Sequence, residues 1–293
     1  MANLAAIRKR IGSTKSTQQI TKAMKMVAGA RLRGAEDRLR SARPYAIMMD
    51  KVVSDLARHT DLKGWDLIDG REEVKKVEYV IITSDRGLCG GFNSSIIRYC
   101  AKMLQGIEGK YENVTLSFVG RRAYDYFKSR PWTIGKTWIN LLKDFDFPLA
   151  SRVGEELIES YTQGEVDEIY IVYNEYVNAV TQRLVTKRLV PVETPPEPEE
   201  GEEIESLFDY KYEPNKEEIL KELLTRQVNF QLYRAFLESF AAEMGARMNA
   251  MDSATKNAGE MIERLTLQFN RTRQAAITTE LMEIISGAEA LKG

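Results

Sequence analysis

The chain has 293 residues, 42 Lys/Arg against 43 Asp/Glu, one histidine and two cysteines, for a formal net charge of −1. One histidine excludes His-cluster metal sites and argues against a Ser-His-Asp triad, and Cys89 and Cys100 form no CxxC pair, as expected of a reducing compartment. No apolar run approaches the ~18–20 residues of a membrane span, and no apolar stretch follows the basic N-terminus as a secretory signal requires.

The near-zero charge is a cancellation. Residues 1–35 carry Arg8, Lys9, Arg10, Lys15, Lys22, Lys25, Arg31 and Arg33 and no acid, whereas residues 193–213 carry nine acids against Lys211 alone. Such separation points to partners.

Residues 1–58 are rich in Ala, Lys, Arg, Met and Leu, and the first proline is Pro44. These are good helix formers, so one long helix is expected, kinked rather than ended at Pro44. Leu4, Ile7 and Ile11 start an apolar seam along it, and Ile20, Met24 and Val27 resume it after the polar stretch 12–19. Leu32, Leu39, Val53 and Leu56 continue it. The basic face is either solvated or a collar for an acidic partner; nucleic-acid binding is disfavoured, because no aromatic residue precedes Tyr45. The Arg-rich, acid-poor start resembles a transit peptide, but residues 24–43 continue the helix without a small-residue boundary. His59 reads as a solvated helix-end residue.

Residues 75–192 change character. Val77–Ser84, Val114–Gly120 and Asp167–Tyr173 read as buried strands, with helices at Asn93–Leu104, Arg121–Lys128 and Leu149–Tyr161 between them. This alternation predicts a mostly parallel, three-layer, Rossmann-like α/β domain, and Thr181–Val192 reads as a further strand at an edge. The loop Ser84–Asn93 (SDRGLCGGFN) lies between strand and helix, where phosphate-binding loops sit, but its G-x-x-G-G spacing is neither of the nucleotide-binding patterns. It reads as a tight turn with Asn93 capping the helix, as a dinucleotide site with Arg121 and Arg122 meeting a 2′-phosphate, or as a partner contact. Cys89 reads as a small residue in a crowded turn and Cys100 as core.

Residues 193–206 cannot bury apolar surface and read as a solvated linker, with 193–213 forming an acidic entry to the C-terminal segment. Residues 214–293 open on a helix-start signal, Pro214-Asn215 with Glu217 and Glu218. A heptad series runs through Phe230, Leu237, Met244, Met251, Ala258 and Leu265, with Tyr233, Phe240, Arg247, Ala254, Met261 and Gln268 as its companion. Five heptads imply a left-handed coiled-coil seam.

The expected architecture is therefore α/β: an antiparallel coiled coil of long N- and C-terminal helices with an inserted α/β domain. The two helices differ in length by an amount worth roughly 30 Å at ~1.5 Å per residue. About residues 268–293, with Ile277, Leu281, Met282, Ile284, Ile285 and Leu291, should overhang and need a partner sleeve.

Three motifs resemble one known family. They are Ile20–Ala28 (ITKAMKMVA), Ser84–Asn93, and Asn270–Thr278 (NRTRQAAIT) with Ser286-Gly287-Ala288. Together they are similar to the γ subunits of rotary F-type ATP synthases, over the whole chain. The resemblance implies a central shaft inside an α/β-subunit hexamer, with its α/β domain beside the ε subunit and the membrane c ring. The shaft would couple proton-driven rotation to the β-subunit sites, without catalysis or a cofactor of its own. Met24 and Lys25 would face the β-subunit levers. Arg273 and Gln274 would meet a β-subunit catch loop, with Thr278 and Glu280 just beyond. Ile285 and Leu291 would run in an apolar bearing, and Tyr210, Tyr212 and Glu213 would rest on the c ring and ε. Chloroplast-type members carry a cysteine pair before the final helix; none stands here, so thiol regulation is not expected. The start at Met1-Ala-Asn suggests a bacterial protein, peripheral on the cytoplasmic face of the inner membrane. The competing reading is a soluble nucleotide-binding α/β enzyme with helical extensions.

Overall fold

The computed structural model describes residues 2–58, 67–68, 70–143, 145–192 and 216–290. In chain order the elements are α1 (Ala2–Arg58), β1 (Lys76–Ile82), α2 (Phe92–Gly106), β2 (Asn113–Val119), α3 (Arg121–Phe127), β3 (Thr133–Trp138), α4 (Phe147–Thr162), β4 (Glu168–Tyr176), β5 (Gln182–Val190) and α5 (Lys216–Ala290). They divide into two compact units: Ala30–Ala246, which holds the sheet, and Met1–Gly29 with Arg247–Gly293, which is helical.

In the sheet unit the strand order is β3-β2-β1-β4-β5. All pairs are parallel except β4–β5. β1 is buried on both faces, and the pleat sends alternate side chains to opposite cores. Val77, Tyr79 and Ile81 join Phe92, Ile96, Cys100 and Leu104 of α2 and Ala123 and Phe127 of α3. Val80 and Ile82 join Ala150, Val153 and Leu157 of α4, Met49 and Val53 of α1, and Val228, Leu232 and Phe236 of α5. This is the expected three-layer arrangement. Each fully buried Leu, Ile or Phe contributes roughly 1.5–3 kcal/mol by leaving water, so the two cores hold the sheet from both sides. The α2 contacts fall every fourth residue, one face of an α-helix. The Asp146 carboxylate caps α4 by accepting from the Leu149 N–H at 2.9 Å, with Pro148 in the first turn.

Strand β3 has no counterpart among the expected elements. Its sequence, TIGKTW, has no apolar run, and most of it is half-buried at the sheet edge. Gly135 admits it, because a Cβ there would stand 2.5 Å from the Ser117 hydroxyl oxygen on β2. Gly120, between β2 and α3, has φ 90°, and a Cβ would lie 2.0 Å from the Thr83 carbonyl oxygen. Only glycine lets α3 start so close to the end of β1.

In the helical unit α1 and α5 run antiparallel. The Lys25 ammonium meets Asp252 Oδ1 at 2.6 Å, Thr255 Oγ1 donates to Thr21 Oγ1 at 2.8 Å, and Gly29 abuts Met248. The heptad series on α5 holds: Met251, Ala258 and Leu265 are buried here, and Phe230, Leu237 and Met244 in the sheet unit. Its companion holds through Tyr233 and Phe240, which pack on the sheet unit's core, and Ala254 is half-buried beside Thr255. Further along, Ile262 and Phe269 are the half-buried positions, while Gln268 is exposed and Met261, though exposed, still reaches Thr14.

The α1 seam needs a similar correction. Ile20 and Val27 are 60% and 56% exposed, and Met24 is half-buried. The inward positions are Leu4, Ile7, Ile11, Thr14, Gln18, Thr21, Lys25 and Ala28, in unbroken 3/4 alternation. The seam runs straight through the polar stretch; its polar residues face the partner helix, and three larger apolar ones (Ile20, Met26, Val27) face out. Leu32 and Val53, in the sheet unit, are buried as expected. Pro44 lies inside α1, which continues past it.

Candidate functional site

The end of α5 carries most of the expected contact residues. Phe269, Thr272 and Ala276 are its last half-buried positions, and every residue from Ile277 to Ala288 is exposed. The free end therefore begins at 277 rather than 268. The pairing register is the reason: each step toward the start of α1 is one step up α5, so that Lys25 beside Asp252 sets Ala2 level with about residue 275. The exposed stretch of 12 residues measures roughly 18 Å at 1.5 Å per residue. Ile277, Leu281, Met282, Ile284 and Ile285 are 48–68% exposed along it.

Helical spacing sorts these side chains into stripes. Arg273, Ile277, Glu280 and Ile284 follow one another at three- and four-residue steps, as do Gln274, Thr278, Leu281 and Ile285 beside them. The two stripes thus carry four apolar side chains, Ile277, Leu281, Ile284 and Ile285, with Thr278 and Glu280 among them and a guanidinium and an amide at their base. Arg273, Gln274 and Glu280 are exposed, and Arg273 has no ion-pair partner among the described residues. Thr278 donates its hydroxyl to the Gln274 carbonyl at 3.0 Å, so its polarity is satisfied within the helix. Leu291, Tyr210, Tyr212 and Glu213, together with His59 and the acidic stretch 193–206, lie outside the described residues.

On α1, Met24 is half-buried and Lys25 points into the helix pair. Asp252 accepts from Lys25 and, through Oδ2, from Lys256 at 2.9 Å. The two ammonium groups, Lys25 first, hold the Asp252 carboxyl below the usual carboxylate range. Arg8, Lys9, Arg10, Lys15 and Lys22 are exposed, with no carboxylate partner among the described residues of this unit. Apolar patterning misses Asp252, Thr255, Thr21 and Gln18 as participants. Spacing alone finds them once polar residues are admitted to the seam.

The loop between β1 and α2 has its polar groups turned on one another. Asn93 Oδ1 accepts from the Ser84 N–H at 3.0 Å, its amide donates to Ser84 Oγ at 2.8 Å and to Cys89 Sγ at 3.1 Å, and the Ser84 hydroxyl donates to the Arg86 carbonyl at 2.6 Å. Asn93 therefore does not cap α2, which starts from Gly91 without a side-chain cap; it ties the loop back onto the strand end. Asp85 Oδ1 accepts from the Arg121 and Asn140 N–H groups, so a carboxylate occupies the start of α3, beside the arginines that the dinucleotide reading requires. Cys89 and Cys100 are both buried, and burial pushes the Cys100 thiol up to about 12. Among the described residues no group of three or more His, Cys, Asp or Glu side chains could hold a metal, and no helix is long and apolar enough to cross a membrane.

A three-layer α/β unit, a long antiparallel helix pair and an apolar helix end with polar groups at its base define a class of protein that works through docking surfaces. The family model described as ATP synthase matches residues 3–291, and the chain belongs to that family. It is 47% identical over 295 residues to a protein named ATP synthase gamma chain from Anaeromyxobacter sp. (strain Fw109-5), with all of both chains covered. Among solved structures it resembles a chain of the Tetrahymena thermophila mitochondrial ATP synthase central stalk and c ring, at 25% identity and TM-score 0.60, covering 80% of this chain and 99% of that one. It also shares the fold of a chain in the Euglena gracilis mitochondrial ATP synthase, at 24% identity and TM-score 0.70, covering 99% and 95%.

Proposed function

We propose that this chain is the central rotor shaft of an F-type ATP synthase, coupling rotation of the membrane ring to the β-subunit sites without catalysing a reaction itself. The observation that carries the reading is the solitary apolar end of α5, exposed from Ile277 to Ala288 on a chain matched end to end by a gamma chain. Exposed apolar surface of this kind calls for a sleeve. Inside an apolar sleeve there is little directional bonding, so the end can turn without falling into deep wells.

The polar groups at its base supply discrete stops. Arg273 and Gln274 would engage a catch loop on a β subunit, with Thr278 and Glu280 adjacent, and a charge-assisted contact of this kind is worth roughly 1–3 kcal/mol. Met24 and the exposed cations of α1 would face β-subunit levers, with Lys25 keeping part of its side chain outward. Ile285 and Leu291 would run in the bearing. Tyr210, Tyr212 and Glu213 would contact the c ring and the ε subunit. The α and β subunits form the sleeve, and different faces of the shaft bias the surrounding sites at each angle. A peripheral position on the cytoplasmic face of a bacterial inner membrane belongs to the same reading, supported by the full-length match to the gamma chain from Anaeromyxobacter sp..

The test is assembly with α and β chains. Truncation after Ala276 should leave the rest of the chain folded while lowering coupled turnover severalfold, and Arg273→Ala should lower it roughly tenfold, the size of one charge-assisted contact. ATPase and rotation assays on the assembled complex read both. Turnover equal to wild type in both variants would remove the bearing and catch assignments.

A further inference from the structure

The polar middle of the α1–α5 seam does a job that rotation in a sleeve leaves unassigned. Over residues 14–25 the inward positions of α1 are Thr14, Gln18, Thr21 and Lys25. Opposite them stand Asp252, Thr255, Gly259 and Met261 of α5. Gln18 donates its side-chain amide toward the Thr255 carbonyl at 3.5 Å, and a Cβ on Gly259 would stand 3.1 Å from that amide nitrogen. The Thr255 hydroxyl joins Thr21, and the Lys25 ammonium joins Asp252, which Lys256 grips from the other side.

A seam made only of Ala, Met, Leu and Ile tolerates a slide of one heptad, because every apolar position meets another after the shift. Polar residues at inward positions remove that tolerance, at some cost in stability. A one-heptad slide here would leave Lys25 without Asp252 and Thr21 without Thr255. The free length of α5 beyond the start of α1, and the angle at which Arg273 and Gln274 are presented, both depend on that register.

We propose that Lys25, Asp252 and Lys256 form an internal clasp that fixes the register of the two helices, making Lys25 a positioning residue that acts through α5. The clasp rests on the rotor reading for its effect on turnover, but not for its effect on helix register. The family resemblance has the same lysine facing a β-subunit lever, and the two roles separate under charge reversal. A clasp is restored when both signs are exchanged; a contact to an acidic lever is not.

The experiment compares Lys25→Asp, Asp252→Lys and the double exchange, each in the full chain, assembled with α and β chains. Register is read first, as the rate of disulfide formation between cysteines introduced at the facing pair Thr14 and Met261 in a background lacking Cys89 and Cys100. Each single variant should slow cross-linking and lower coupled ATP turnover roughly twofold to fivefold, the scale of an exposed ion pair. The double exchange, which restores the link across the seam and leaves only Lys256 without its acid, should return both most of the way to wild type. Cross-linking unchanged in the single variants, or a double exchange that turns over as poorly as Lys25→Asp, would overturn the clasp. If wild-type chain failed to support rotation in the same assembly, the rotor reading would fall while the cross-linking result still judged the clasp.

Discussion

Glu78 is a carboxylate in the middle of a parallel sheet. It lies 4% exposed on β1, with the Ser117 hydroxyl donating to Oε1, and that hydroxyl in turn accepts from the Lys136 N–H at 2.9 Å. Burial is the largest influence on it and pushes its carboxyl above the ordinary 4.5; the Ser117 hydrogen bond pulls in the other direction. The folded state therefore holds this proton more tightly than the unfolded chain does. Unfolding releases the proton, so stability falls as pH rises from about 4.5 through the folded value. Glu78→Gln keeps an acceptor for Ser117 and removes the charge. Its urea midpoint should fall less than that of wild type between pH 4.5 and neutral pH; equal slopes would mean that the carboxylate is relieved in some other way.

At the scale of elements, the capped start of α4 gives a local prediction. Asp146→Ala removes the acceptor for the Leu149 N–H and should cost about 1 kcal/mol, read as a lower urea midpoint with unchanged slope. The elements legible in the sequence are those whose burial follows an apolar pattern. β1, β2 and β4 carry runs of Val, Ile, Leu, Phe and Tyr, and α2 repeats its apolar residues every four. β3 escapes because an edge strand can be held by pairing and by a glycine fitted against Ser117, with no apolar run of its own. The helix seam is legible where it is apolar, as at Met251, Ala258 and Leu265, and illegible where Thr14, Gln18, Thr21 and Thr255 occupy it. Hydrophobicity then selects Ile20 and Val27, which have helical spacing but lie on the outer face. The same rule explains why Lys25 reads from sequence only as a contact to a partner: a lysine at an inward position looks solvated until the aspartate across the seam is known. The Ser84–Asn93 loop falls between strand and helix as its sequence predicts, but the target of the Asn93 side chain depends on where β1 ends, which no spacing encodes.

At the scale of the whole molecule, the net charge of −1 conceals a concentration of cations. Arg8, Lys9, Arg10, Lys15 and Lys22 crowd the exposed side of one helix without an acid among the first 35 residues. Five like charges on about 20 Å of helix repel one another unless something acidic lies alongside. Association with the α and β chains should accordingly weaken as salt is raised, with the steepest change below about 0.15 M, where the screening length exceeds 8 Å. Replacing Arg8, Arg10 and Lys15 with Gln should flatten that dependence in a sedimentation or pull-down titration. A salt-independent affinity would assign the basic face to water alone.

The unpaired turns of α5 also bear on the life of the chain before it meets its neighbours. A newly made copy carries Ile277, Leu281, Met282, Ile284 and Ile285 into water with nothing laid against them. Copies made in excess are open to mutual adhesion and to proteases, whereas copies threaded into a complex are sheltered. The same exposed side chains that the proposed bearing would cover thus set an unassembled chain apart from an assembled one.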